Sequence, residues 1–423
     1  MRRLSILALV LAAFAVSANH AGAQRQPACA ADNAGLKLPD GFCAMVFADS
    51  VPRARHIVVA PNGDVFVATR NSRDQRDGGI LSLRDTTGDG KADMRVRFGQ
   101  NGGTGIALRG AHLWFGTDDA ILRYRLPVGN LLASTQVDTI VRDLPVGGHR
   151  AKSITLGRGS DLFVNIGSRT NACQVADRQA ASPGHDPCTE LETRAGVWRF
   201  DANRKNQRQT AKARFASGLR NVVALHFADG QLYGAQHGRD NLASNWGEHF
   251  DERENAEKPA EILVRIDRGS NYGWPYCYYD QDLKSHVLAP EYGGNGSTVG
   301  DRCDDIQQPL VAFPGHWAPN GLVKYTGQQF PERYRGGFFV AFHGSWNRAP
   351  LPQAGYNVAF VPMTNGSPGQ YEIFADGFAG AAEIQQPSAA THRPTGLAVA
   401  PDGSLYITDD AGGRIYRVFY RGN

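Results

Sequence analysis

The chain has 423 residues, with 45 Lys and Arg against 41 Asp and Glu, a formal charge of +4 and 42% hydrophobic residues. That composition gives a globular protein with room for a sizeable core, and it excludes a disordered charged polymer and a strongly basic nucleic-acid binder. Gly (49) and Pro (22) are frequent and spread throughout, so turns should be many and long helices few.

Arg2 and Arg3 precede an apolar run over residues 4–16, and Ala21-Gly22-Ala23 offers the small residues of a cleavage site before Gln24. Residues 1–23 therefore read as an export signal, leaving residues 24–423 as one domain in a periplasmic or secreted protein. The apolar run is shorter than the ~20 residues of a bilayer span, and no other segment approaches that length, so no membrane span is expected. Cys29, Cys43, Cys173, Cys188, Cys277 and Cys303 all lie beyond the leader. An even count in an oxidising compartment predicts three disulfides; the spacing suggests pairing of neighbours, among fifteen possible connectivities. No Cys-x-x-Cys-His occurs, so covalent haem has no support.

A short strand is predicted near residues 44–47, and six copies of one two-strand unit follow. Each has a short alternating apolar strand, a turn ending in Gly, and an apolar-aromatic-apolar triplet. The copies run from Ile57-Val58-Val59 through Gly63 to Val65-Phe66-Val67, and from Ile106-Ala107-Leu108 through Gly110 to Leu113-Trp114-Phe115. The next two run from Ile154-Thr155-Leu156 through Gly159 to Leu162-Phe163-Val164, and from Ala224-Leu225 through Gly230 to Leu232-Tyr233-Gly234. The last two run from Leu322-Val323 through Gly336 to Phe338-Phe339-Val340, and from Leu397-Ala398-Val399 through Gly403 to Leu405-Tyr406-Ile407. A third amphipathic strand follows most copies, as at Val197-Trp198-Arg199-Phe200 and Ile415-Tyr416-Arg417-Val418. The turn glycines are 47, 49, 71, 106 and 67 residues apart. A four-stranded propeller blade takes ~40 to 50 residues, so the short gaps are bare blades and the long ones carry insertions. The reading is an all-β, six-bladed β-propeller, closed by the early strand beside the C-terminal one, with disulfides tethering the inserted loops. A β-sandwich would not need six similar units.

In such a fold, the residues just before each inner strand and just after each second strand meet at one mouth of the central channel, opposite the turn glycines. Before the inner strands stand His149-Arg150, Arg220-Asn221, Asn320 and Arg393. After the second strands stand Gly167-Ser168-Arg169, Gln236-His237-Gly238-Arg239-Asp240, His343-Gly344-Ser345-Trp346-Asn347-Arg348 and Asp409-Asp410. The chain uses 37 Arg against 8 Lys, and the planar guanidinium suits carboxylates, so a small polyanionic ligand is expected at this mouth. Elsewhere, the segment from Asp85 to Asp93 resembles a short calcium loop, with Asp85, Asp89 and Asp93 as candidate ligands, on a hairpin between outer strands. A plain Gly- and Asp-rich turn is the alternative there.

At the mouth segments, together with Gly147-Gly148-His149-Arg150, Asn271-Tyr272-Gly273-Trp274-Pro275 and Arg393-Pro394-Thr395-Gly396, the sequence resembles the glucose and sorbosone dehydrogenase family of pyrroloquinoline quinone (PQQ) enzymes, its bacterial sorbosone dehydrogenase-like branch above all. The resemblance implies a soluble enzyme that oxidises a sugar hydroxyl or hydrated aldehyde by hydride transfer to PQQ with Ca²⁺ assistance, then passes electrons to a separate acceptor. It implies His149 as general base, Arg220, Asn221, Arg393, Arg348 and His343 as cofactor-binding residues, and the main-chain carbonyls of Gly238 and Arg239 as calcium ligands. Trp317 and Trp346 are candidate sugar platforms, with plain aromatic packing as the alternative. Three positions depart from the family's glucose enzymes, which carry proline at the place of Arg239, a lysine near Ser345 or Arg348 and a second arginine near Thr395. Two other classes stay open: a calcium-dependent lactonase whose metal is held by acids such as Asp409 and Asp410, and a non-catalytic binding propeller. No complete dinucleotide fingerprint or Gly-x-Ser-x-Gly motif supports NAD or a serine hydrolase.

Overall fold

The computed structural model describes residues 27–72 and 75–422, so the export signal expected over residues 1–23 lies outside the described residues. Six four-stranded antiparallel sheets are arranged as blades around an axis. Their inner strands are Ala54–Val59, Gly103–Arg109, Ile154–Leu156, Ala224–Ala228, Pro319–Lys324 and Pro394–Val399. Each contacts the inner strand of the next blade, and the sixth returns to the first. The inner and second strands of every predicted copy pair as antiparallel neighbours, for example Ile154 with Val164 and Leu397 with Ile407. The ring closes where Phe42–Ala48 pairs with the C-terminal strand Ile415–Tyr420.

The cores lie between blades. One cluster joins Phe66 and Ile80 of blade one to Leu113 and Phe115 of blade two, and five comparable clusters fill the remaining gaps. Both faces of a strand therefore meet a neighbouring blade. The simple alternation expected for half-buried strands gives way to fully buried runs such as Val65–Thr69 and Phe338–Phe342.

The long gaps hold the expected insertions. Disulfides join Cys29 to Cys43, Cys173 to Cys188 and Cys277 to Cys303. The first ties the N-terminal segment to the closure strand. The other two close loops that pack on each other: Arg302 makes a bidentate pair with Asp186 at 2.7 and 2.8 Å, its guanidinium lies 3.5 Å from the Tyr276 ring centroid, and the Tyr276 hydroxyl accepts from Cys188 N at 2.8 Å. Together they make a lobe beside blades three and four. Among the described residues, helix is confined to short segments such as Leu242–Trp246 and Glu252–Glu257.

Candidate active site

The predicted register brings the site residues to one rim. His149 enters from the segment before the inner strand of blade three. Gly148 precedes it with a φ of +56°, where a Cβ would stand 2.3 Å from the Arg169 carbonyl oxygen, so glycine lets the chain turn against that loop. His149 Nδ1 lies 3.0 Å from the Ser168 carbonyl and 2.9 Å from Ser168 Oγ. Ser168 Oγ donates to the Thr170 carbonyl at 2.7 Å, so its hydrogen is engaged and both Ser168 oxygens act as acceptors. The proton of the neutral ring is thereby assigned to Nδ1, leaving the Nε2 lone pair free. Burial, then the Arg220 guanidinium and His237, push the ring's pKa far below its ordinary value.

Arg220 and Asn221 precede the inner strand of blade four, both buried. Arg220 donates from Nε to the Asn171 carbonyl and from Nη2 to Asn171 Oδ1, each at 3.0 Å, and pairs with Asp240 at 2.9 Å. Asn221 Oδ1 accepts from Asn165 Nδ2 at 3.3 Å. Asp240 also accepts from Arg178 at 2.8 Å and from Asn347 Nδ2 at 2.9 Å. Burial alone would raise this carboxyl, but Arg220, His316 and Arg178 hold it well below the usual carboxylate range. Arg393, before the inner strand of blade six, donates from Nε to the His343 carbonyl at 2.9 Å and from Nη2 to the Gly344 carbonyl at 2.7 Å. A Cβ on Gly344, whose φ is +88°, would stand 2.2 Å from the Tyr356 ring. His343 Nε2 pairs with Asp410 at 2.7 Å, whose other oxygen receives Arg55 at 2.6 Å. The segment holding His343 and Asn347 thus links Arg393 to Asp240 and Arg220, which puts the two arginines on the same rim.

Some predicted residues have other employment. Arg348 is buried, with Nη1 donating to the Ala256 carbonyl at 2.5 Å and Nε to the Pro352 carbonyl at 3.1 Å, so that it braces its loop. Trp317 packs edge-on against Phe342 at 5.2 Å, whereas Trp346 is exposed, with the Arg178 guanidinium 5.8 Å from its ring. Asp85 accepts from the backbone of Thr87, Gly88 and Gly90, Asp93 from that of Thr86 and Thr87, and Asp89 from that of Lys91. Those carboxylates cap a turn between Gly79–Arg84 and Met94–Phe98. Asp409 likewise caps the Ala411 and Gly412 backbone. Among the described residues, no three His, Cys, Asp or Glu side chains group to hold a metal ion.

Sequence reasoning passed over Arg55, His56, Asn171, Arg178, Glu261 and Glu291. The first two directly precede the predicted Ile57-Val58-Val59 and open the observed inner strand Ala54–Val59, so reading the residues before each inner triplet finds them. His56 Nε2 lies 2.8 Å from the Asn320 carbonyl and His237 Nε2 lies 2.9 Å from the Pro319 carbonyl. Burial, and behind it Arg55 and Arg220 respectively, lowers both rings to about 4.

The rim fits a polyanion and a hard cation. Nη1 of Arg220 and Nη1 of Arg393 donate to no described residue, and the buried oxygens Asn320 Oδ1 and Asn347 Oδ1 lack partners. The carbonyls of Gly238 and Arg239 accept no hydrogen bond from a described residue. Such buried or half-buried polar groups are ordinarily satisfied, so these are free to meet a ligand. A separate cavity of about 800 Å³ follows the axis toward the turn glycines, lined by Ile57, Ile106, Leu108, Ile154, Leu225 and Leu397. His56, His226, Asp64 and Arg109 also line it, whereas the pair Arg220 and Arg393 and the unpartnered amide oxygens sit at the rim.

Comparison with known proteins agrees with this architecture. Residues 36–421 match the TrAA12-like family. The chain is 28% identical over 267 residues to an uncharacterized protein of Borreliella burgdorferi and 27% identical over 228 residues to a pyrroloquinoline quinone-dependent pyranose dehydrogenase of Coprinopsis cinerea. These alignments cover 62% and 47% of this chain, and 58% and 30% of the respective relatives. In structure it is similar to the holo PQQ domain of the Coprinopsis cinerea pyranose dehydrogenase, with a TM-score of 0.72, 17% identity, and coverage of 91% of this chain and 97% of that one. A calcium structure of the Trichoderma reesei Family AA12 enzyme gives a TM-score of 0.74 at 18% identity, covering 94% of this chain and 99% of that one. The match along nearly the whole described length bears out the resemblance to PQQ sugar dehydrogenases, and the chain belongs to the TrAA12-like family.

Proposed function

We propose that this protein is a quinoprotein oxidoreductase that oxidises a sugar hydroxyl or a hydrated sugar aldehyde, of aldose or sorbosone type. The observation that carries the reading is the meeting of Arg220 and Arg393 on one rim, each with an uncommitted Nη1, beside a histidine whose Nε2 is unprotonated. PQQ, when bound, supplies the hydride acceptor, and calcium supplies a Lewis acid for it.

Arg220, Asn221, Arg393 and His343 would hold the cofactor, Arg393 on one of its carboxylates and Arg220 with Asn221 on its quinone carbonyls. Both guanidiniums are pre-oriented by backbone carbonyls, so little rotamer freedom is lost when an anion arrives. The carbonyls of Gly238 and Arg239 would ligate calcium, a cation that takes oxygen donors. His149 Nε2 would take the proton of the substrate hydroxyl while Ser168 fixes the ring. Trp346 offers an exposed face for a pyranose ring, with Arg178 on its flank. The employment of Asp409 in a turn and of Asp410 with Arg55 and His343 favours this reading over a lactonase whose acids hold the metal. Three disulfides fit a periplasmic or secreted protein, and no helix among the described residues is long and apolar enough to cross a membrane.

The test is reconstitution of purified apoprotein with PQQ and Ca²⁺, followed by dye reduction with a panel of aldoses, other pyranoses and sorbosone. Turnover that requires both additions is the expected result. Lactone hydrolysis without PQQ would favour the lactonase, and neither activity the binding propeller.

A further inference from the structure

Arg239 and Glu291 stand 52 residues apart in sequence and pair in the interior, 4% and 5% exposed, through Nη1 and Oε2. Glu291 Oε1 accepts from Trp246 Nε1 at 3.0 Å, and Arg239 Nε and Nη2 each donate to the Asp240 carbonyl at 3.3 Å. A buried pair of this kind contributes little stability beyond what two apolar side chains of the same volume would give, so its energetic worth is a poor reason for its presence. Its place in the fold supplies a better one. Glu291 lies in the turn Pro290–Tyr292, inside the loop closed by Cys277 and Cys303, and its carbonyl accepts from Gly184 N of the other disulfide loop at 3.0 Å. That second loop grips the next residue too, through Arg178 and Asp240. Two consecutive side chains, 239 and 240, are therefore anchored in the doubly cross-linked lobe, while the Gly238 and Arg239 carbonyls are left without donors. From the other side, Glu261 Oε2 accepts from Gly238 N at 3.0 Å.

We propose that Glu291 is a positioning residue: through Arg239 it fixes the peptide planes of residues 238–240 so that the Gly238 and Arg239 carbonyls stay available to a calcium ion. This rests on the reading that those carbonyls ligate calcium. The site is thus built by the lobe, and propeller loops alone do not complete it. Removing the anchor frees the two planes to rotate and spend their carbonyls on water or backbone.

The experiment is calorimetric titration of the full mature chain with Ca²⁺, in the absence and presence of PQQ, with melting temperature recorded in parallel. Wild type is compared with Glu291→Gln and with the double variant Arg239→Met/Glu291→Leu, in which no charge is left buried alone. Outer-shell partners of metal ligands are typically worth about 10- to 100-fold in affinity, and a loss of that size is expected in both variants. The double variant should melt close to wild type, which separates positioning from folding. Calcium affinity within about twofold of wild type in the double variant would overturn the inference. A wild-type chain that takes up no calcium under either condition would instead overturn the carbonyl-ligand reading, and this inference with it.

Discussion

Ser168 shows how much a single side chain decides. Because its hydroxyl hydrogen goes to the Thr170 carbonyl, His149 must donate from Nδ1, and its Nε2 is left as a base whose basicity the Asp240 carboxylate raises less than burial, Arg220 and His237 lower it. Protonation therefore occurs only well below the ordinary histidine range. The sign for turnover follows: kcat/KM should stay level as pH falls through 6.5 and decline only in more acid solution, read from a pH–rate profile of the reconstituted enzyme. Replacing His149 with Ala should lower kcat by about 10²- to 10⁴-fold and leave PQQ uptake within a few-fold of wild type; unchanged turnover would reject its role as base. The histidine was legible from its register before an inner strand, but its tautomer was not. The tautomer depends on a serine 19 residues on, whose own partner is a backbone carbonyl.

Among elements, the blades were the legible part, because each repeats one local pattern and pairs with its sequence neighbours. Even so, apolar faces on both sides of a strand could be recognised only once the neighbouring blades were in place, as with Val65–Thr69. The lobe was illegible for the converse reason. Arg178, Glu291 and Arg302 act on partners 62, 52 and 116 residues away, and no periodicity joins such positions. Arg348 is another such case: its Nη1 and Nε serve the Ala256, Gly315 and Pro352 carbonyls, contacts that no local pattern announces. Arg348→Met should therefore destabilise the fold by about 1–3 kcal/mol, since buried acceptors lose their donor, and leave PQQ affinity within about twofold. Urea denaturation and cofactor titration of the same variant check both statements.

At the scale of the whole molecule, closure of the ring by Phe42–Ala48 matters because it holds the first and last blades together and so fixes the rim to which all six contribute. Residues as distant in sequence as Arg55 and Asp410 meet at 2.6 Å only through that closure. The same geometry makes Arg220 and Arg393 neighbours of one ligand. The direct measurement is a titration of apoprotein with PQQ in calcium-containing buffer, followed by the absorbance of the quinone, for wild type, Arg220→Met and Arg393→Met. A charge-assisted hydrogen bond is worth about 1.5–3 kcal/mol, so wild type should saturate at one PQQ per chain and each variant should bind at least about tenfold more weakly. A wild-type chain that takes up no PQQ, or variants that bind it as tightly, would contradict the account.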